Sequence, residues 1–150
     1  MKEITGNIFD VDADAICVTT NGVVKSNGEL VMGAGIAKQF AERYPWLPAI
    51  FGKLVKERGN VVSWDKERGG LERFLVSFPT KEDWRDQASL FLIKASAKSL
   101  VKLANELQLD KVVLPRPGCG LGGLRWAVVK TVLEPILDDR FYVITPEVKQ

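Results

Sequence analysis

The chain has 150 residues, 46% of them hydrophobic and 27% charged, with a formal charge of +2, which fits one globular domain able to bury roughly 68–70% of its unfolded surface. Its basic residues are spread rather than collected, so the charge pattern demands no polyanion such as duplex DNA, although a nucleotide ligand stays open. Histidine is absent, which excludes a Ser-His-Asp triad, a Cys-His pair and an H-E-x-x-H zinc site.

The opening "MKEITGNIFD" lacks an apolar h-region, and no apolar run approaches the ~20 residues of a membrane span, so a cytoplasmic protein without a membrane partner is expected. "EITGNIF" and "ADAICVTTN" read as two short strands, separated by the turn-forming stretch 10–14 and expected to be neighbours. "GVVKSNGELVMGAG" reads as a loop with a turn at Asn27-Gly28. "IAKQFAERYP" places Ile36, Ala37, Phe40 and Tyr44 at helical spacing and stops at Pro45; a second helix runs from Leu47 to Arg58 and ends at Gly59.

"NVVSW" and "LERFLVSF" form a hairpin-like pair around a polar segment, and Pro79 ends the second run. "DQASLFLIKASAKSLVKLANELQ" is the longest helical signal, with Leu90, Ile93, Ala97, Leu100 and Leu103 on one stripe. The strand "DKVVLP", a glycine loop, the helix "LRWAVVKTVLEPIL" and the strand "RFYVIT" complete the order β-β-α-α-β-β-α-β-α-β. Such alternation predicts one α/β domain over residues 1–150, its sheet mostly parallel, with helices on both faces and antiparallel pairing at its start or edge. Cys17 and Cys119 show neither disulfide nor zinc spacing and read as reduced thiols; no metal or cofactor is called for.

Two loops are candidates for a ligand site. Gly33-Ala34-Gly35 precedes the helix near Ile36, and "LPRPGCGLGGLRW", with Gly118, Gly120, Gly122 and Gly123, joins a strand to the helix near Leu124. Helix N-termini offer unpaired N–H groups, and glycines let a phosphate come close. Each loop also admits a plain turn-forming role. Gly118, Gly120 and Gly123 satisfy G-x-G-x-x-G, but Asp138 and Asp139 precede the following strand instead of ending it, contrary to a dinucleotide-binding unit. There is no Walker A loop.

The ordered set "GNIF", "DADAICVTTNG", "VMGAGIAKQF", "VSFPTKEDWR" and "LPRPGCGLGGLRW" resembles a macro domain over nearly the whole chain. It is most similar to the branch of terminal ADP-ribose glycohydrolases and DNA-de-ADP-ribosylating antitoxins, and to standalone phage and bacterial members. The resemblance implies a three-layer α/β/α sandwich around a six-stranded mixed sheet, with ADP-ribose in a cleft at the strand ends. It places Asn7 and Ile8 at adenine, with Asn7 replacing the usual aspartate, and Asn21 at the distal ribose. Gly33, Ala34, Gly35 and Ile36 would line one side of the diphosphate, and Gly118, Cys119, Gly120, Leu121 and Gly122 the other.

The same resemblance gives Lys81, after "VSFPT", the role of attacking or stabilising the distal ribose C1″. A lysine partly desolvated in a cleft becomes a nucleophilic amine able to form a Schiff base with an opened sugar. Gly122 departs from the pattern, because the terminal ADP-ribose glycohydrolases carry a catalytic aspartate there; Glu82, Asp83 and Asp86 are the nearby substitutes. Trp84 and Trp126 could stack a base, but packing is the expected use of both. The family also places an aromatic near adenine at the end of the last strand, which holds Phe141 and Tyr142. The expected activity is an ADP-ribosyl hydrolase working as a monomer on an ADP-ribosylated macromolecule, with nucleic acid among the candidates. The alternatives are a non-catalytic reader or sponge of ADP-ribose, and an ADP-ribose 1″-phosphate phosphatase.

Overall fold

Alternation within the strands decides the layering. Ala15 and Cys17, Phe74, Val76 and Phe78, Val112 and Leu114, and Phe141 and Val143 belong to one buried cluster. The residues between them, Ile16 and Val18, Leu75, Val113 and Ile144, belong to a second. Successive side chains leave a strand on opposite faces, so runs that are apolar at every position need cover on both sides.

That cover is supplied by four helices in this computed structural model, which describes residues 1–147. The elements are β1 (Lys2–Thr5), β2 (Ala15–Thr20), α1 (Gly35–Arg43), α2 (Leu47–Arg58), β3 (Ser63–Trp64), β4 (Phe74–Pro79), α3 (Leu90–Leu107), β5 (Val112–Pro115), α4 (Trp126–Leu133) and β6 (Phe141–Thr145). Buried residues of α3 and α4 join the first cluster, and those of α1 and α2 the second. The result is an α/β/α sandwich around a six-stranded sheet of order β1-β6-β5-β2-β4-β3.

All strand pairs are parallel except β3 with β4, where Ser63 faces Ser77. The expected hairpin is therefore present at one edge. The expected pairing of the first two strands is not: β1 pairs with β6 at the far edge, while β2 lies between β5 and β4. Burial explains this. Three of the four residues of β1 are exposed and the fourth is only partly buried, so it suits an edge, whereas β2 is buried at five of six positions and needs neighbours on both sides.

Local chemistry then positions the loops. Ser89 caps α3 by accepting from Leu92 N at 3.2 Å. Ser96, buried inside the same helix, donates its hydroxyl to Pro79 O at 2.7 Å and ties α3 to the end of β4. Gly52, in the middle of α2, lets the loop before α1 cross the helix: a Cβ there would lie 2.0 Å from Gly28 O.

Candidate functional site

The carboxyl ends of β2, β4, β5 and β6 open into a cleft of about 940 Å³, flanked by the loop leading into α1 and the loop following β5. Both glycine segments reach it: Gly33 to Ile36 on one side, Gly118 to Gly122 on the other. On the first side Ala34 provides no side-chain cap for α1, and the first intrahelical bond is Lys38 N to Ala34 O at 3.2 Å. The N–H groups of Gly35, Ile36 and Ala37 thus precede the helical ladder at its positive end.

The second side is built differently from the expectation. α4 begins at Trp126, and neither it nor residues 123–125 line the cleft, so this jaw is loop backbone and not a helix terminus. Gly118, at φ +74°, and Gly122 are required by the fold itself. A Cβ on Gly118 would meet Ala88 and Ile93 at 2.9 Å; one on Gly122 would lie 2.5 Å from Gly118 O and 2.8 Å from the Ala88 Cβ. Gly122 therefore cannot be replaced by an acid on this backbone.

Gly33 and Gly120 are the opposite case. Neither has a positive φ, and a Cβ on either would meet no protein atom within 4 Å. Protein packing gives no reason for glycine at these two positions, both of which face the cleft. Close approach of a ligand to the backbone does.

Opposite the jaws, the ends of β2 and β4 are locked together. Thr80 N donates to Thr20 O at 3.0 Å, Gly22 N to Glu82 O at 2.9 Å, and the Thr20 and Ser77 hydroxyls are 2.7 Å apart. Asn21, only 8% exposed, accepts from Val23 N at 2.9 Å and donates Nδ2 to Val31 O at 3.0 Å. It thus caps the strand end and still lines the cleft, with one Nδ2 hydrogen and one oxygen lone pair unspent.

Lys81 also lines the cleft and is half-buried. Its carbonyl accepts from Asn60 Nδ2 at 2.9 Å, and its Nζ donates to Trp84 O at 3.4 Å. Asn60, at the start of the segment leading to β3, also reaches Glu82 Oε2 at 3.1 Å, and its own Oδ1 is buried without a partner. It clamps the backbone on which Lys81 stands. No local motif marks it in the sequence, because its partners lie more than 20 residues away.

Of the three nearby carboxylates, only Asp86 lines the cleft. Glu82 is engaged by Asn60. Asp83 is chelated by Arg85 through contacts of 2.9 and 2.8 Å, and these hydrogen bonds hold its carboxyl down at about 2. Three cations, Lys81, Arg85 and Arg116, share the lining with that single acid, so the cleft favours an anion. Cys119 lines it as well, its thiol pushed up by burial and pulled back slightly by Arg116, and Cys17 is pushed up further by complete burial. Both are free thiols, and no group of metal-ligating residues occurs among the described residues.

Asn7 and Ile8 do not line the cleft. Asn7 sits in a turn beyond β1, its Oδ1 accepting from Phe9 N at 2.9 Å, and Ile8 is buried in the α1–α2 layer. The neighbouring bond from Gly6 N to Thr145 O, 2.9 Å, ties that turn to the end of β6, where Ile144 and Pro146 face the cleft. Neither Phe141 nor Tyr142 does: Phe141 is core, and Tyr142 lies under Lys2 and Lys111. The tryptophans separate. Trp126 packs on the core and donates Nε1 to Glu3 at 2.9 Å, whereas Trp84 is 50% exposed on the cleft rim, contrary to the packing role expected of it.

Among the described residues no helix is long and apolar enough to cross a membrane. Residues 23–133 match the family model described as Macro domain. A DNA ADP-ribosyl glycohydrolase of Mycobacterium tuberculosis is 34% identical over 131 residues, covering 84% of this chain and 35% of the relative. That of Thermus aquaticus is 28% identical, covering 92% and 38%. The chain thus spans little more than a third of the curated relatives it matches. The solved macrodomain of Mycobacterium tuberculosis DarG superposes with a TM-score of 0.82 at 31% identity, covering 98% of this chain and 97% of that one. Thermosipho africanus DarTG in complex with ADP-ribose gives 0.81 at 20% identity, over 99% and 42%, a likeness of fold. With sheet order, cleft and sequence in agreement, the chain belongs to the macro domain family.

Proposed function

We propose that the cleft binds ADP-ribose and that the protein is an ADP-ribosyl hydrolase using Lys81. The observation that carries this reading is the arrangement of Lys81 and Asn21 on locked strand ends, across one cleft from two glycine jaws whose Gly33 and Gly120 leave room for a ligand. The relatives named DNA ADP-ribosyl glycohydrolase support it. The diphosphate lies between the jaws, with the α1 N-terminus on one side. Asn21 orients the distal ribose. Lys81 gives one ammonium proton to solvent and its amine attacks C1″; the bond to the acceptor breaks with its electron pair going to the acceptor, and a proton from the newly bonded nitrogen follows it. Ring opening, with water protonating O4″, gives an iminium on Lys81 to which the resulting hydroxide adds; release of the amine and closure of the sugar yield free ADP-ribose.

The test is release of ADP-ribose from modified DNA, RNA and protein by wild type and Lys81→Ala. Wild-type turnover is expected, with a loss of at least ~100-fold in the variant and calorimetric ADP-ribose affinity retained. Full turnover by Lys81→Ala removes the lysine from the mechanism. A reader of ADP-ribose is the second reading, favoured by the closed backbone at Gly122, where the aspartate that the resemblance gives the terminal ADP-ribose glycohydrolases has no room. Tight binding without turnover would establish it.

A further inference from the structure

Five large apolar side chains are exposed among the described residues, and two of them, Trp84 and Leu121 (71% exposed), line the cleft; Val61, Phe91 and Val128 do not. The loop that carries Trp84 is tied at its backbone, and a cation lies beside the ring. The Trp84 carbonyl receives the Lys81 ammonium at 3.4 Å, and the Arg85 guanidinium lies 5.5 Å from the ring centroid, itself held by Asp83 through its Nε and Nη2. An indole held open to water on a short, braced loop is a prepared apolar surface.

Its location fixes what it meets. On the reading proposed above the bond that breaks is at C1″, within reach of Lys81, so the acceptor leaving that carbon must lie beside Lys81 and hence beside Trp84. A carboxylate or hydroxyl acceptor on a protein has no flat face for the indole to use. A nucleobase has one, and the phosphate next to it suits a lining with three cations and one carboxylate. Stacking requires the face of the base, which a duplex hides. We propose that Trp84 is the stacking platform for the acceptor nucleobase of an ADP-ribosylated single strand, with Arg85 beside it for the adjacent phosphate. This rests on the hydrolase reading of the cleft and adds to it the residue that reads the acceptor.

The experiment compares wild type, Trp84→Ala, Trp84→Phe and Phe91→Ala on a base-ADP-ribosylated oligonucleotide and on a carboxylate-ADP-ribosylated peptide. Free ADP-ribose binding is measured in parallel by calorimetry. Loss of one base stack predicts a roughly 5- to 150-fold fall in kcat/KM on the oligonucleotide for Trp84→Ala, carried by KM, with rescue to within about threefold by Trp84→Phe. Phe91→Ala stays at the wild-type value, and free ADP-ribose affinity is the same in all four proteins. Unchanged oligonucleotide turnover in Trp84→Ala, or an equal loss on the peptide, overturns the proposal while leaving the hydrolase reading intact. If wild type releases ADP-ribose from neither substrate, the hydrolase reading fails and binding decides: tighter binding of the modified oligonucleotide than of ADP-ribose, erased by Trp84→Ala, upholds the platform, and equal affinities overturn it.

Discussion

Alanine at Gly33, Gly120 and Gly122 separates glycines that serve the fold from glycines that serve a ligand. At Gly122 the new Cβ lies 2.5 Å from Gly118 O and 2.8 Å from the Ala88 Cβ, both fixed by the bond from Ala88 N to Gly122 O at 3.0 Å. Neither neighbour is a flexible side-chain end, so the strain resembles overpacking, about 1–3 kcal/mol. In a domain of this size that lowers Tm by roughly 2–12 °C. Gly33 and Gly120 have open space and no positive φ. Alanine there restricts the unfolded chain and adds about 0.4–1 kcal/mol, so Tm holds or rises by roughly 1–4 °C. Affinity runs the other way. A methyl group between backbone and diphosphate removes at least one charge-assisted hydrogen bond, about 1.5–3 kcal/mol, or roughly 10- to 150-fold in ADP-ribose Kd. Thermal melts and calorimetry on the same three proteins give both numbers. Should Gly33→Ala and Gly120→Ala melt as low as Gly122→Ala and bind ADP-ribose like wild type, the glycines are turn formers and the clamp is refuted.

Cys119, whose thiol is raised by burial, should resist alkylation at pH 8 and react as the pH climbs above 9, and ADP-ribose should protect it because it lines the cleft; labelling that ignores ADP-ribose would place the ligand elsewhere. Gly52→Ala should be the most damaging single methyl addition, since its Cβ would sit 2.0 Å from Gly28 O and displace the loop that leads to Gly33. A loss of 3 kcal/mol or more is expected on the scale of severe overpacking, and a melt within about 2 °C of wild type would contradict that geometry.

The layered fold was legible because its signals are local. Runs such as "ICVTT" and "KVVLP" are apolar at successive positions and need two covered faces, and the stripe from Leu90 to Leu103 has one helical period. Strand order was less so. The sequence adjacency of β1 and β2 suggested pairing, but their opposite burial separates them by two strands, a property of the assembled sheet. At the site, Lys81 and the glycine loops were visible as motifs. Asn60, the clamp beneath Lys81, was not, and the exposure of Trp84 is set by the folded course of its loop, which no sequence pattern marks.

The closed backbone at Gly122 also bears on which chemistry the cleft suits. Direct attack of water on C1″ calls for a base to activate the water and, where the acceptor is a ring nitrogen, for an acid to protonate it. The cleft lining supplies one carboxylate, the exposed Asp86. An amine nucleophile changes that requirement, because the ammonium formed on attack carries the proton a departing nucleobase needs, and the iminium that follows is attacked by water more readily than the original glycoside. On the proposed reading, then, Lys81 and the missing acid are one arrangement: the residue that attacks also delivers the proton, and Gly122 is free to serve the turn that brings Gly120 to the diphosphate. On the same reading Trp84 meets the acceptor from the other side, its exposed indole offered to the face of the departing base.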